Sequence, residues 1–226
     1  MLIHERFVFL HFQKTGGTFI TESLACALPK GSLRDGAPDK LHAGWADIPP
    51  EAMDLPVLAY VRNPWDWYVS WYHFMQSRRP DNVIFRLMFA NGKNDFATTV
   101  QNACTGMPGC DDPELARLMA EDSRRVRPLA LKRDFCTTRF LDFFGAGLGS
   151  DRLTIGRFET LVDDLERFLL RLEVELPDGA MARIHAAAPV KATRRRRPYR
   201  EYYDDDLANL VAKSCKPVID RFGYRF

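Results

Sequence analysis

The stretch that most constrains this chain runs from Phe7 to Leu28, FVFLHFQKTGGTFITESLACAL. Its first part predicts a buried strand over 6–12, and the Gly-containing segment Gln13 to Thr18 predicts a loop. A helix is expected from Phe19 to Leu28, with Ile20, Leu24, Ala27 and Leu28 on one apolar face. Strand, tight loop and helix in that order make a cradle for an anion. Gly16 and Gly17 let the backbone turn sharply and approach a ligand, and the N–H groups of the loop and first helical turn, which have no intrahelical partner, can point at one group. Lys14 adds a full charge, and Thr15 and Thr18 add hydroxyl donors. A triphosphatase P-loop carries its lysine after its glycines, whereas Lys14 precedes Gly16 and Gly17, so this is a phosphate loop of another kind. Taken alone, the same residues also suit a plain strand-to-helix turn with a solvated lysine.

A second motif, PVLAYVRNPWDWYVSWYHFMQ from Pro56 to Gln76, tells against the plain turn. Val57 to Val61 is a short continuous apolar run, the pattern of a central parallel strand covered on both faces. Asn63 suits an N-cap and Pro64 the first helical position, so a helix is expected to run from there to Gln76. Arg62 then sits at the carboxyl end of a strand, where open α/β sheets bind ligands. Ser70 follows eight positions later, on the helix face shared with Trp67 and Phe74. A strand-end arginine and a helix serine can close on one phosphate from two sides. The alternative is an Arg62–Asp66 pair with Ser70 as a small core residue. The aromatic residues of this helix are core by default, although a ring there can also stack on a base.

The 226 residues favour one α/β domain, and 46% apolar with 27% charged residues is ordinary for a globular chain. Thirty-two basic against thirty acidic residues leave a net +2, which supplies no global argument for nucleic acid or a membrane surface. The N-terminal MLIHERFVFL places His4, Glu5 and Arg6 before only a short apolar run. No stretch approaches the ~18 apolar residues of a spanning helix, so a cytoplasmic protein without a membrane span is expected. The five cysteines lack metal-ligand spacing and are expected to be buried thiols, with Cys104 and Cys110 able to pair if oxidised.

The two motifs together, FQKTGGT after a first strand and YVRNPWDWYVSWYHF after a later one, resemble the sulfotransferases that use 3′-phosphoadenosine 5′-phosphosulfate (PAPS), in particular their carbohydrate-type branch. Arg157-Phe158-Glu159-Thr160-Leu161, Pro198-Tyr199-Arg200-Glu201-Tyr202-Tyr203 and Arg221-Phe222-Gly223-Tyr224 are similar to the tail of that branch. The resemblance implies an α/β fold of three layers, with a central parallel sheet and a P-loop-like phosphosulfate-binding strand-loop-helix. It implies that Lys14, Thr15, Gly16, Gly17 and Thr18 hold the 5′-phosphosulfate and that Arg62 and Ser70 hold the 3′-phosphate. It also implies a catalytic base about twenty residues before the arginine. His42, in Lys40-Leu41-His42, stands twenty before Arg62. Some carbohydrate-type members use a glutamate nearer the first loop, so Asp35 and Asp39 stay open as alternatives, while Glu22 reads as a helix-face residue. Catalysis would then rest on Lys14 and His42, with PAPS as donor, PAP as product, no metal, and a carbohydrate or other small-molecule hydroxyl as acceptor. A nucleotide kinase or triphosphatase, and a non-catalytic nucleotide or nucleic-acid binding module, are the competing classes.

The rest of the chain is read around those motifs, as a single domain over 1–226. Pro29 to Pro56 reads as loop with a short strand near Leu41. An irregular insertion over 77–138, with a helix capped by Asp112 and started by Pro113, is the expected acceptor side. Leu153 to Ile155 reads as a strand and 157–171 as an amphipathic helix. Glu173 to Pro189 reads as a mobile, Ala-rich stretch. Arg194 to Arg197 are most often a solvated or nucleic-acid-seeking run. In the context of the resemblance they belong to a cofactor-covering loop over 189–200, with Arg195 and Arg196 assigned to the 3′-phosphate. A last helix is expected from Glu201, kinked at Pro217.

Overall fold

The computed structural model describes residues 1–37, 42–77, 88–105, 134–187 and 197–226. The chain divides into two units, the first made of 1–62 and 142–192 and the second of 63–141 and 193–226.

The first unit is built on a five-stranded sheet. Strands β1 (Leu2–His4), β2 (Phe7–Leu10), β3 (Arg34–Asp35), β4 (Val57–Val61) and β5 (Leu153–Arg157) lie in the order β3-β1-β2-β4-β5. β2, β4 and β5 are parallel, with Val8 opposite Val57 and Val61 opposite Arg157. The expected central strand Val57 to Val61 is therefore found between two parallel neighbours, and every residue of it is buried. The sheet differs from a wholly parallel one at the other edge, where β1 runs antiparallel to both β2 and β3. Only Glu5 and Arg6 separate β1 from β2, and a link that short can join strands only antiparallel. β1 leaves no sequence signal, because its three residues are too few for an alternation to show. The strand placed near Leu41 falls outside the described residues, and the short strand that is seen here is β3.

Side chains alternate across this sheet, so Phe7 and Phe9 share a face with Leu58 and Tyr60. Onto that face pack helix α1 (Gly17–Ala27), through Phe19, Ile20 and Leu24, and the helix Leu161–Arg171, through Leu161, Leu165, Phe168 and Leu169. The latter begins after a 3-10 turn at Phe158–Thr160. The stretch read as mobile contains a further helix, Ala180–Ala186, whose Ala180 and Ile184 join the same core. The Arg6 guanidinium donates to the carbonyls of Leu172 (2.6 Å) and Glu173 (3.2 Å), which ties the β1–β2 turn to the end of that amphipathic helix.

The second unit is helical in its described residues: α2 (Pro64–Gln76), α3 (Phe96–Thr105), most of α4 (Phe135–Phe144), and near the carboxyl end Asp205–Ser214 and Lys216–Phe222. α2 starts as its sequence requires, with Pro64 in the first turn and the Asn63 side chain accepting from Trp65 N at 3.1 Å. Its aromatic residues are core. Trp71 meets Trp67 at 5.7 Å and Phe135 at 4.9 Å between ring centroids, and Trp65 Nε1 donates to the Ala208 carbonyl at 3.0 Å. Asp204 caps the next-to-last helix through Leu207 N. Pro217 does more than kink the last one: the helix stops at Ser214 and a new one begins at Lys216, with Pro217 in its first turn. The helix placed at Asp112 and Pro113 lies outside the described residues. Cys104, Cys136 and Cys215 are buried free thiols, whereas Cys26 is exposed on α1, because it falls on that helix's outer face. Cys110 lies outside the described residues.

Candidate functional site

The loop after β2 has an unusual backbone. Lys14 has φ 63° and Gly16 φ 84°, so two left-handed residues flank Thr15. For Gly16 this geometry carries little strain, but for lysine it costs about 1–2 kcal/mol and persists only where its surroundings impose it. Gly16 is the N-cap of α1 and has no side chain to occupy the first-turn N–H groups, and the helix begins at Gly17, two residues before the expected Phe19. A side chain at Gly16 would also press on Leu161 Cδ2 at 2.8 Å and Phe158 Cδ2 at 3.2 Å. The glycine thus serves conformation and packing at once.

Gly17 is required for a different reason. A Cβ there would stand 1.9 Å from Cδ2 of the His11 ring. His11 follows β2, is 8% exposed, and has its imidazole pushed down to about 3, first by burial and then by the charges of His42, the amino terminus and Lys14. Thr15 is fully buried, and its hydroxyl donates to the Phe12 carbonyl at 2.8 Å. That proton closes the loop on itself, so Thr15 offers a ligand its backbone N–H. Thr18 is half-buried in the first turn of α1.

Arg62 follows directly on β4 and is 8% exposed. Its Nη1 donates to the Lys14 carbonyl at 3.2 Å, and its guanidinium lies 4.0 Å from the centroid of the Phe158 ring. The structure therefore brings Arg62 to the Lys14–Gly17 loop. The sequence presents Phe158 only within the Arg157–Leu161 similarity and the apolar face expected over 157–171. No sequence signal separates a ring that packs under an arginine from one that faces a sheet.

His42 is exposed, and its Nδ1 bonds the His11 carbonyl at 2.9 Å. The two imidazoles meet edge to face, with centroids 5.0 Å apart and an 86° interplanar angle. The backbone beyond is held by Ala43, which is fully buried, and by Gly44, where a Cβ would strike the Phe143 carbonyl at 2.4 Å. His42 is thus joined to the segment that leads into the loop. Asp35 lies on the edge strand β3, exposed, and accepts from Ala37 N at 3.0 Å. Glu22 is exposed on α1. Asp39, Arg195 and Arg196 lie outside the described residues. Ser70 is buried in α2 of the second unit, 3% exposed. In that unit Arg197 places its guanidinium 4.3 Å from the Tyr202 ring centroid.

No family model matches the sequence, and no curated protein resembles it. The fold does have solved counterparts. It matches the crystal structure of mouse sulfotransferase SULT7A1 complexed with PAP, with a TM-score of 0.54 over 95% of this chain and 84% of that one, at 10% sequence identity. The chain has the α/β fold of that sulfotransferase, and at this identity the likeness concerns the fold. Among the described residues no helix is long and apolar enough to cross a membrane.

Proposed function

We propose that this protein is a PAPS-dependent sulfotransferase that moves a sulfonate group to an acceptor hydroxyl, of a carbohydrate or another small molecule. The observation that carries the reading is the backbone of the Lys14–Gly17 loop. Two left-handed residues and a glycine N-cap make an oxyanion cradle, with Arg62 adjoining it, on a fold shared with a PAP-bound sulfotransferase.

The residues fit such a ligand. The N–H groups from Thr15 to Thr18 and the Thr18 hydroxyl hold the 5′-phosphate, while Lys14 neutralises charge at the bridging oxygen. Arg62 binds the 3′-phosphate, and the resemblance to the PAPS sulfotransferases assigns Ser70, Arg195 and Arg196 to the same phosphate. When bound, PAPS supplies the sulfonate: the acceptor oxygen bonds to sulfur, the bond from sulfur to the phosphate oxygen breaks, and PAP leaves. His42 takes the proton from the acceptor hydroxyl. The protein's part is to position and to neutralise, as in phosphoryl transfer, because charge spreads over peripheral oxygens without needing a protein nucleophile.

Calorimetric titration with adenosine 3′,5′-bisphosphate, beside ATP and AMP at one salt concentration, tests this reading. Binding of the bisphosphate alone is expected, weakened ~10–100-fold in Arg62→Ala, the loss of one or two charge-assisted hydrogen bonds. Binding of ATP alone would move the protein to the kinases and triphosphatases, and binding of none would return the loop to a plain turn.

A further inference from the structure

Resting on the reading of His42 as the base, we propose that His11 is a positioning residue. It holds His42 in the tautomer protonated at Nδ1, so that Nε2 is the nitrogen that takes the acceptor proton. A carbonyl oxygen can only accept, so the 2.9 Å contact from His42 Nδ1 to the His11 carbonyl requires the hydrogen on Nδ1. In a neutral imidazole the lone pair then lies on Nε2.

The carbonyl is a fixed anchor because the residue that bears it cannot turn. The His11 ring is buried and fills the space a side chain at Gly17 would need. The same ring forms a wall for His42, edge to face at 5.0 Å. His11 therefore touches both parts of the site, the anion loop through Gly17 and the base through His42. Its burial beside Lys14 also keeps it uncharged, so that it sets no second cation against His42. On the far side of His42, buried Ala43 and the close approach of Gly44 to the Phe143 carbonyl fix the backbone. The imidazole is thus held at Nδ1, along one face and at its own Cα, and these three restraints orient a general base.

The experiment uses the full chain labelled with [15N]histidine. Long-range proton–nitrogen correlation spectra are recorded at neutral pH and assigned with single His→Gln variants. Wild-type His42 is expected as the Nδ1–H tautomer. In His11→Ala the carbonyl remains but its support is lost, so His42 is expected to average both tautomers. With that variant kcat falls ~10–100-fold, the scale of a misplaced catalytic group, a larger change than the rise in KM for PAPS that loss of the ring's packing on Gly17 brings. His11→Phe, which restores a flat ring, recovers both the tautomer and kcat. An Nε2–H tautomer in the wild type overturns the proposal, and so does His11→Ala with tautomer and kcat both unchanged. If His11→Ala does not fold, the wild-type spectrum and His11→Phe decide the matter. Full turnover in His42→Ala with the wild-type Nδ1–H signal intact instead rejects the base reading, and the catalytic role of His11 with it.

Discussion

Each unit holds a cluster of polar side chains out of water, and the two clusters are built on opposite principles. In the second unit Tyr68, Cys104, Asp134, Cys136 and Cys215 satisfy one another. The Tyr68 hydroxyl takes the Cys136 N–H at 3.4 Å and the Cys104 thiol at 3.8 Å. Asp134 accepts from Thr137 N at 2.7 Å, which caps α4, and from the Cys215 thiol at 3.6 Å. Burial pushes all three ionisable types toward their neutral forms: the Tyr68 phenol, the Cys215 thiol and the Asp134 carboxyl are each raised, and the Cys104 thiol is raised to about 12. Such a cluster specifies a core and is chemically quiet.

In the first unit the polar groups are arranged at a cost. Lys14 is held left-handed, the Arg62 guanidinium is nearly buried, and His11 is enclosed beside a cation. Self-satisfied polar groups mark a core, whereas strained backbone with convergent donors marks a place built for something else.

The sharpest way to break this contrast is acid. The folded-state value of His11 lies below its ordinary 6.5, so folding favours the neutral ring. Its contribution is full above about pH 6.5 and is lost as pH falls through that window toward about 3. Denaturant melts are expected to lose on the order of 4 kcal/mol over this range, and His11→Phe to lose much less. Equal acid limbs in the two proteins would mean that His11 is not the costly group.

Lys14→Ala comes next. Turnover with PAPS is expected to fall ~10²–10³-fold, the usual loss for one charge-stabilising donor, with an unchanged melting temperature. Near wild-type turnover would remove Lys14 from the chemistry. Asp134→Ala tests the quiet cluster. It is expected to cost about 1–2 kcal/mol of stability through the lost cap of α4, with bisphosphate affinity unchanged, and a large loss of affinity there would end the contrast. The smallest effect is the most telling. Lys14→Gly is expected to gain up to ~1 kcal/mol of stability, because glycine adopts the left-handed conformation without strain, while losing turnover as Lys14→Ala does. A loss of stability would show that the Lys14 backbone is not strained.

Much of this was legible along the chain where neighbouring residues carry the information. The continuous apolar run of β4 and the Asn63–Pro64 start of α2 give their positions almost to the residue. The spacing of Leu161, Leu165, Phe168 and Leu169 gives the buried face and the end of its helix, which begins at Leu161 after a 3-10 turn and not at the expected Arg157. Arg62 was placed at a strand end by the same local logic. His11 was not found, since a histidine in an apolar run looks like strand, and its partners Gly17 and His42 are reached only when the loop folds back. The helix Ala180–Ala186 was missed because its few apolar residues gain their meaning from the core that α1 and the helix Leu161–Arg171 complete.

By itself the sequence determined the order of strand, loop and helix and the start and end of α2. Each depends on φ preferences, caps and periodicities that act over a few residues. The tertiary structure alone decided that β1 would turn the sheet mixed, that the Thr15 hydroxyl would close on Phe12, and that Arg62 would reach the Lys14 carbonyl over Phe158. It alone decided that His11 would join Gly17 to His42. Those are contacts between segments far apart in the chain, and their geometry exists only after the sheet has set the distances between them.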